Sequence, residues 1–217
     1  MPLQLVTPPV GEPVSLTEAK LHLRVDVTDD DALITALITA ARQYAETLTQ
    51  RQFVTATWKL VLDSFPGPIL MGVPAGTPFS LPGHAILLNK SPVQAVSSIN
   101  YLDMSGTQQT MPSTDYVVDT SCEPARITPV FGKIWPISLP QIGAVTVTFT
   151  AGYGAPDNNT PPNWSPAPVP EGIKAWMKVR IGSMYQHREE VAILQKGKLE
   201  LLPFVDFMLD PFKVVTF

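Results

Sequence analysis

The feature that most constrains this chain is a change of period. After Asp29, Asp30 and Asp31, apolar residues recur at Leu33, Ile34, Leu37, Ile38, Ala41, Tyr44, Ala45 and Leu48, the spacing of one helix face. Thr35, Thr39, Arg42, Gln43 and Glu46 fall on the opposite face. The acidic triplet sits where carboxylates cap a helix and favour its dipole, so it is expected to start this helix, which should end near Gln50. From Val54 the period becomes two. Val54, Ala56, Trp58, Leu60 and Leu62 alternate with Thr55, Thr57, Lys59 and Asp63, the pattern of a half-buried strand, with Val61 as an exception.

Helix flanks this strand region on both sides. Ser15-Leu16-Thr17-Glu18 is a capping-box spacing and predicts a short helix from Leu16 to about Leu23, followed by a turn over 25–29. Near the other end, Pro170 suits a first helical position. Ile173, Trp176, Met177, Ile181 and Met184 form the stripe of a helix that should end near Arg188. A short final helix is expected over 202–209, stopped by Pro211. Between the helices, strands are expected over 85–89, 96–102, 107–111, 116–119, 126–128 and 145–150, with a hairpin turn at Asp103-Met104-Ser105-Gly106 and a closing turn at Gly152-Tyr153-Gly154. The reading is an α+β fold. Helices from both ends form a bundle (residues 1–52 and 168–217), and an antiparallel β-rich region (53–167) is inserted between them.

Composition bears on what such a fold does. Of the 217 residues only 16% are charged, against roughly 25% in ordinary soluble domains, which points to large protein–protein contacts. The net charge of −4 and the lack of a basic run argue against gripping nucleic acid through its phosphates. The 23 prolines cluster at 66–82 and 156–170 and predict long loops, since proline lacks the amide hydrogen that helices and central strands need. The N-terminus lacks a signal-peptide pattern, and the apolar stretch 32–41 is too short to span a bilayer, so a soluble, cytoplasmically made chain is expected.

No spacing for catalysis emerges. Gly132-Lys133 and Gly197-Lys198 lack the frame of a phosphate-binding loop. Gly-x-Ser-x-Gly is absent, and His22, His84 and His187 have no metal-ligand spacing. Cys122, the one cysteine, reads as a free, inert thiol. Catalytic, cofactor and metal residues are therefore all expected to be none. Trp58 and Trp176 read as core residues, whereas Trp135 and Trp164 lie in Pro-flanked loops, where aromatics serve either packing or contacts with other subunits. Phe212, Val214, Val215 and Phe217 lie past the last expected helix, with no evident partner inside the chain.

Several blocks together resemble the head–tail connector (adaptor) proteins of tailed phages. They are Leu5-Val6-Thr7-Pro8-Pro9, Glu12 to Lys20, Leu23-Arg24-Val25, Asp30 to Ile34, and Ala40 to Glu46. Pro92 to Val96 with Ile99-Asn100-Tyr101, 116–126, Gly132 to Pro136, Phe149 to Gly154, and 202–212 continue the likeness. The order of the blocks, more than any one of them, carries it, and the long form with a β insertion fits best. The resemblance implies a ring, usually a dodecamer, in the neck of a virion made in a bacterial cytoplasm. It would sit between the portal protein and the next neck or tail protein, pass DNA through its lumen without specific binding, and have no membrane partner. An acidic lumen would let DNA slide. Phe212, Val214, Val215 and Phe217 would dock on the portal, and Trp135 and Trp164 would serve neck or inter-subunit contacts. A stopper or terminator, or a β-rich binding module, are the competing readings.

Overall fold

The structure is a computed structural model that describes residues 3–66, 85–157, 159, 162–187 and 207–214. The described chain is mixed α+β and falls into two compact units. One contains residues 3–9 and Thr55–Gly152; the other contains Val10–Val54 and the described part of Tyr153–Val214. The first Pro-rich stretch, from residue 67 onward, and most of the expected 202–209 helix lie outside the described residues.

In the helical unit, α1 (Leu16–Leu23) starts as its spacing predicts. The Ser15 hydroxyl accepts from the Glu18 amide at 3.2 Å, and the Glu18 carboxylate accepts from the Ser15 amide at 2.9 Å. Helix α2 (Asp31–Thr49) begins differently from expectation. Asp30 makes no side-chain cap; its carboxylate accepts from the Tyr185 hydroxyl, and Asp31 accepts from Lys20 Nζ at 2.6 Å. The acidic residues thus tie α2 to its neighbours, a demand that local spacing cannot encode. Helix α3 (Glu171–Gln186) has Pro170 at its N-cap rather than inside its first turn. Ile34, Ile38, Ala41 and Ala45 of α2 meet Ile173, Trp176, Met177 and Ile181 of α3 in one core with Val14, Phe53 and Leu209. Each large apolar side chain buried there contributes about 1.5–3 kcal/mol. Two members of the supposed solvent face of α2, Arg42 and Glu46, are buried, while Tyr44 of the apolar stripe is half exposed and stacks on Trp176 with 5.9 Å between centroids.

The second Pro-rich stretch holds a short hairpin, β9 (Gly154–Pro156) with β10 (Trp164–Pro166), where only loop was expected. Its prolines end the two strands and so interrupt no central ladder. At Gly154 a Cβ would lie 2.3 Å from the carbonyl oxygen of Ala167, so no larger residue fits between the two segments.

The sheet unit contains a five-stranded antiparallel sheet in the order β1 (Leu3–Thr7), β2 (Ala56–Leu62), β8 (Val145–Ala151), β4 (Val93–Leu102) and β5 (Gln108–Thr110). A second sheet runs β3 (Ile86–Leu88), β7 (Ala125–Pro129), β6 (Tyr116–Asp119). Alternation drives the packing: Val145, Val147, Phe149 and Ala151 of β8 are buried, and the threonines between them are not. Those residues, with Leu60 and Ile99, share a core with Ile86, Leu88 and Ile127 of the smaller sheet. Strand β1 was not foreseen from the sequence. Among the described residues it pairs only with β2, setting Leu3 against Leu60 and Leu5 against Trp58, and so stands at an edge of the sheet.

Candidate interaction surfaces

The aromatic residues singled out by the sequence fall in different settings. Trp135 is buried, its ring stacked on Phe65 at 4.9 Å and 11°, and Phe65 in turn meets Tyr101 edge-on. Its indole is enclosed by its own unit, because a Pro-flanked loop can fold back over a sheet end as readily as outward. Trp164, in β10, is half-buried against the helical core, with Lys174 Nζ 6.0 Å from its ring centre.

Phe212 has a partner inside the chain, against expectation. It lies in a 3-10 turn (Asp210–Phe212) and packs on the helical core, its ring against the open Cα of Gly172. Its carbonyl accepts from Arg51 Nε, and the Val214 amide donates to the Thr49 carbonyl at 3.0 Å. The buried Leu209 completes this anchorage. A tail root this firmly held is fixed by residues at the end of α2, which the sequence near Phe212 does not reveal. Val215 and Phe217 lie outside the described residues.

The surface that sequence reasoning missed is the segment 130–143, between β7 and β8. Phe131, Ile134, Ile137 and Ile142 are 103%, 86%, 77% and 88% exposed. The available signal was an aperiodic aliphatic run broken by two prolines. The segment is nevertheless anchored. Trp135 plugs the core, the Leu139 amide donates to the Leu102 carbonyl at 2.9 Å, and the Gly143 amide donates to the Asp63 carboxylate at 2.9 Å. Lys133, its one charged residue, is paired with Asp115, whose carboxyl the lysine holds below its usual range.

Charge is handled inside the helical unit by one buried network. Arg42 Nε donates to Glu12 at 2.7 Å and its Nη1 to Glu46 at 2.9 Å. The other Glu46 oxygen accepts from the Gln52 amide group and the Phe53 backbone amide, at 2.8 and 2.9 Å. Burial works against the Arg42 charge, but the hydrogen bonds and charges of Glu12 and Glu46 outweigh it and raise its pKa. The arrangement joins the segment before α1 to α2 and to the chain after it, and offers no free ionisable group for chemistry. Among the described residues no group of three His, Cys, Asp or Glu could hold a metal, and no helix is long and apolar enough to cross a membrane.

The described chain thus carries a helical unit with a buried charge network and a sheet unit with exposed apolar side chains. The comparisons with known proteins give one family likeness over part of the chain and a fold likeness over all of it. Residues 13–107, from just before α1 to the turn after β4, match the family described as phage gp6-like head-tail connector protein, so the resemblance read from the residues holds over that segment. No curated protein matches in sequence. The whole chain shares its fold with a chain from a structure described as the virion of a native gene transfer agent particle, at 20% identity and a TM-score of 0.72. Two others, the neck of an empty gene transfer agent particle computed with C6 symmetry and the neck of a native one computed with C12 symmetry, give 21% and 20% identity with TM-scores of 0.72 and 0.68. Each comparison covers 100% of this chain and 97% of the other.

Proposed function

We propose that this chain is a structural subunit of a virion neck. It forms a ring, with twelve copies as the expected number, between the portal and the next neck or tail protein, and DNA passes through the lumen without specific binding. The observation that carries this reading is a coincidence of two independent likenesses. The connector family matches 13–107, and the end-to-end fold likeness, which includes the β insertion, is to chains from gene transfer agent virions and necks. The helical part expected over 1–52 and 168–217 and the β region expected over 53–167 are in this reading the two working parts, with β1 joining the sheet unit and the β9–β10 hairpin the helical one. The role is one of assembly, without catalysis or cofactor, in a particle made in a bacterial cytoplasm.

Ring subunits use a head-to-tail interface that closes by rotation, and the low charge of the chain suits the contact area this needs. Val214, Val215 and Phe217 are the portal-docking residues in this proposal, with Phe212 as the root that holds them to the helical unit and Trp164 near a subunit contact. The anchored root at Phe212 means that a deletion from Asp210 would strip the helical core, so the informative truncation removes 215–217 alone. Negative-stain imaging of the chain with purified portal rings should show a second ring stacked on the portal. The truncated chain should keep its fold and lose stacking. Absence of any ring with the intact chain would refute the function, and full stacking by the truncated chain would refute the docking role of the tail.

A further inference from the structure

The segment 130–143 displays four large apolar side chains at 77–103% exposure on a frame held by a stacked tryptophan and two backbone anchors. Soluble surfaces scatter such residues singly; four on one anchored segment mark a contact. These anchors fix the backbone at three points, which lowers the conformational entropy left to lose on docking. The charge pattern selects the partner. The one lysine is already paired, so the segment offers nothing to an acidic or basic surface and requires an uncharged apolar one. The same unit carries such a surface. Among the described residues strand β1 is an edge strand, of sequence Leu-Gln-Leu-Val-Thr without charge, and its Leu5 and Val6 are 48% and 55% exposed. An open, uncharged edge is a liability unless something covers it. A cyclic assembly needs two different patches on every copy, each complementary to the other.

We infer that the 130–143 segment of one copy covers the edge strand β1 in the next copy, and that this pair is the ring contact. The inference rests on the ring reading above and names its interface.

The test uses two variants of the full chain, each breaking one patch. One is Phe131→Ser with Ile134→Ser and Ile142→Ser; the other is Leu5→Lys with Val6→Lys. Each large apolar side chain removed from the contact should weaken association about tenfold or more. Sedimentation velocity and negative-stain imaging, with and without portal rings, should show rings for the parent chain and monomers for each variant alone. Mixing the two variants should give a one-to-one dimer and nothing larger, because one intact segment then meets one intact edge. Rings from either variant alone would overturn the inference while leaving the ring reading in place. So would monomeric variants whose mixture gives no dimer, or a segment variant that closes rings but no longer stacks on the portal. A parent chain that never forms rings overturns both. If a multiple variant loses the parent circular-dichroism spectrum, Phe131→Ser and Val6→Lys, at exposed positions, enter the same assay with the same expected outcomes.

Discussion

Replacing Arg42 by methionine isolates the contribution of the buried charge network. Methionine keeps much of the aliphatic volume and removes the guanidinium. Its two carboxylate partners then differ in what they can do. The Glu12 side chain, 24% exposed, can turn toward water; that of Glu46, 11% exposed, cannot, and it remains held by the Gln52 side chain and the Phe53 amide. One buried carboxylate is left without its counter-charge. Removing one partner of a buried pair costs about 3–5 kcal/mol, and rehydration of Glu12 favours the lower end, about 3 kcal/mol. For a chain of this size that is a fall in melting temperature of roughly 6–12 °C. Thermal unfolding followed by the helical circular-dichroism signal near neutral pH measures it. Adding Glu46→Gln removes the stranded charge but keeps an acceptor for the Phe53 amide, and should restore about half of the loss or more. A shift below about 1 kcal/mol for Arg42→Met, the scale of an exposed ion pair, would refute the reasoning, as would a failure of Glu46→Gln to restore stability.

Two further outcomes follow from local geometry. The Asp103 carboxylate accepts from the Ser105 hydroxyl, the Gln109 side chain and the Thr107 and Ser105 amides, which together hold its pKa at about 2. A folded value below the unfolded one means that the turn's ionic contribution is present above about pH 4 and is lost as pH falls through about 2. The amide resonances of Ser105 and Thr107 should therefore titrate near pH 2, and a midpoint at the ordinary aspartate value would contradict the turn geometry. Gly154→Ala would place a methyl group 2.3 Å from the Ala167 carbonyl oxygen, against backbone that cannot move without parting β9 from β10. A loss of about 3 kcal/mol or more is expected in the same thermal assay, and a neutral result would show that this approach is looser than the structure has it.

What could be read from the residues was what is encoded locally. The Ser15–Glu18 cap, the α2 stripe and the alternation of β8 each depend on neighbours within a few positions, and the structure has all three. What escaped depends on residues far apart in the chain. Strand β1 exists because β2 offers it an edge, and its five residues between prolines carry no periodic signal of their own. Arg42 lies on the polar side of the α2 pattern and is buried only because Glu12 arrives beside it. Trp135 is drawn into the core by Phe65, and Phe212 by Gly172 and Arg51. The exposed 130–143 segment was hidden for the opposite reason: aliphatic residues in a sequence read as interior until a structure shows them bare.

The Phe53 carbonyl accepts from the Tyr153 amide at 3.0 Å, and Val54 bridges Gly154, so the chain leaves the helical core and rejoins it through adjacent residues. A detour that closes on itself in this way behaves like a removable cassette. Within the helical unit the two ends of the detour are held together, so a change of length inside the detour leaves that splice in place, although β1 ties the sheet to the start of the chain as well.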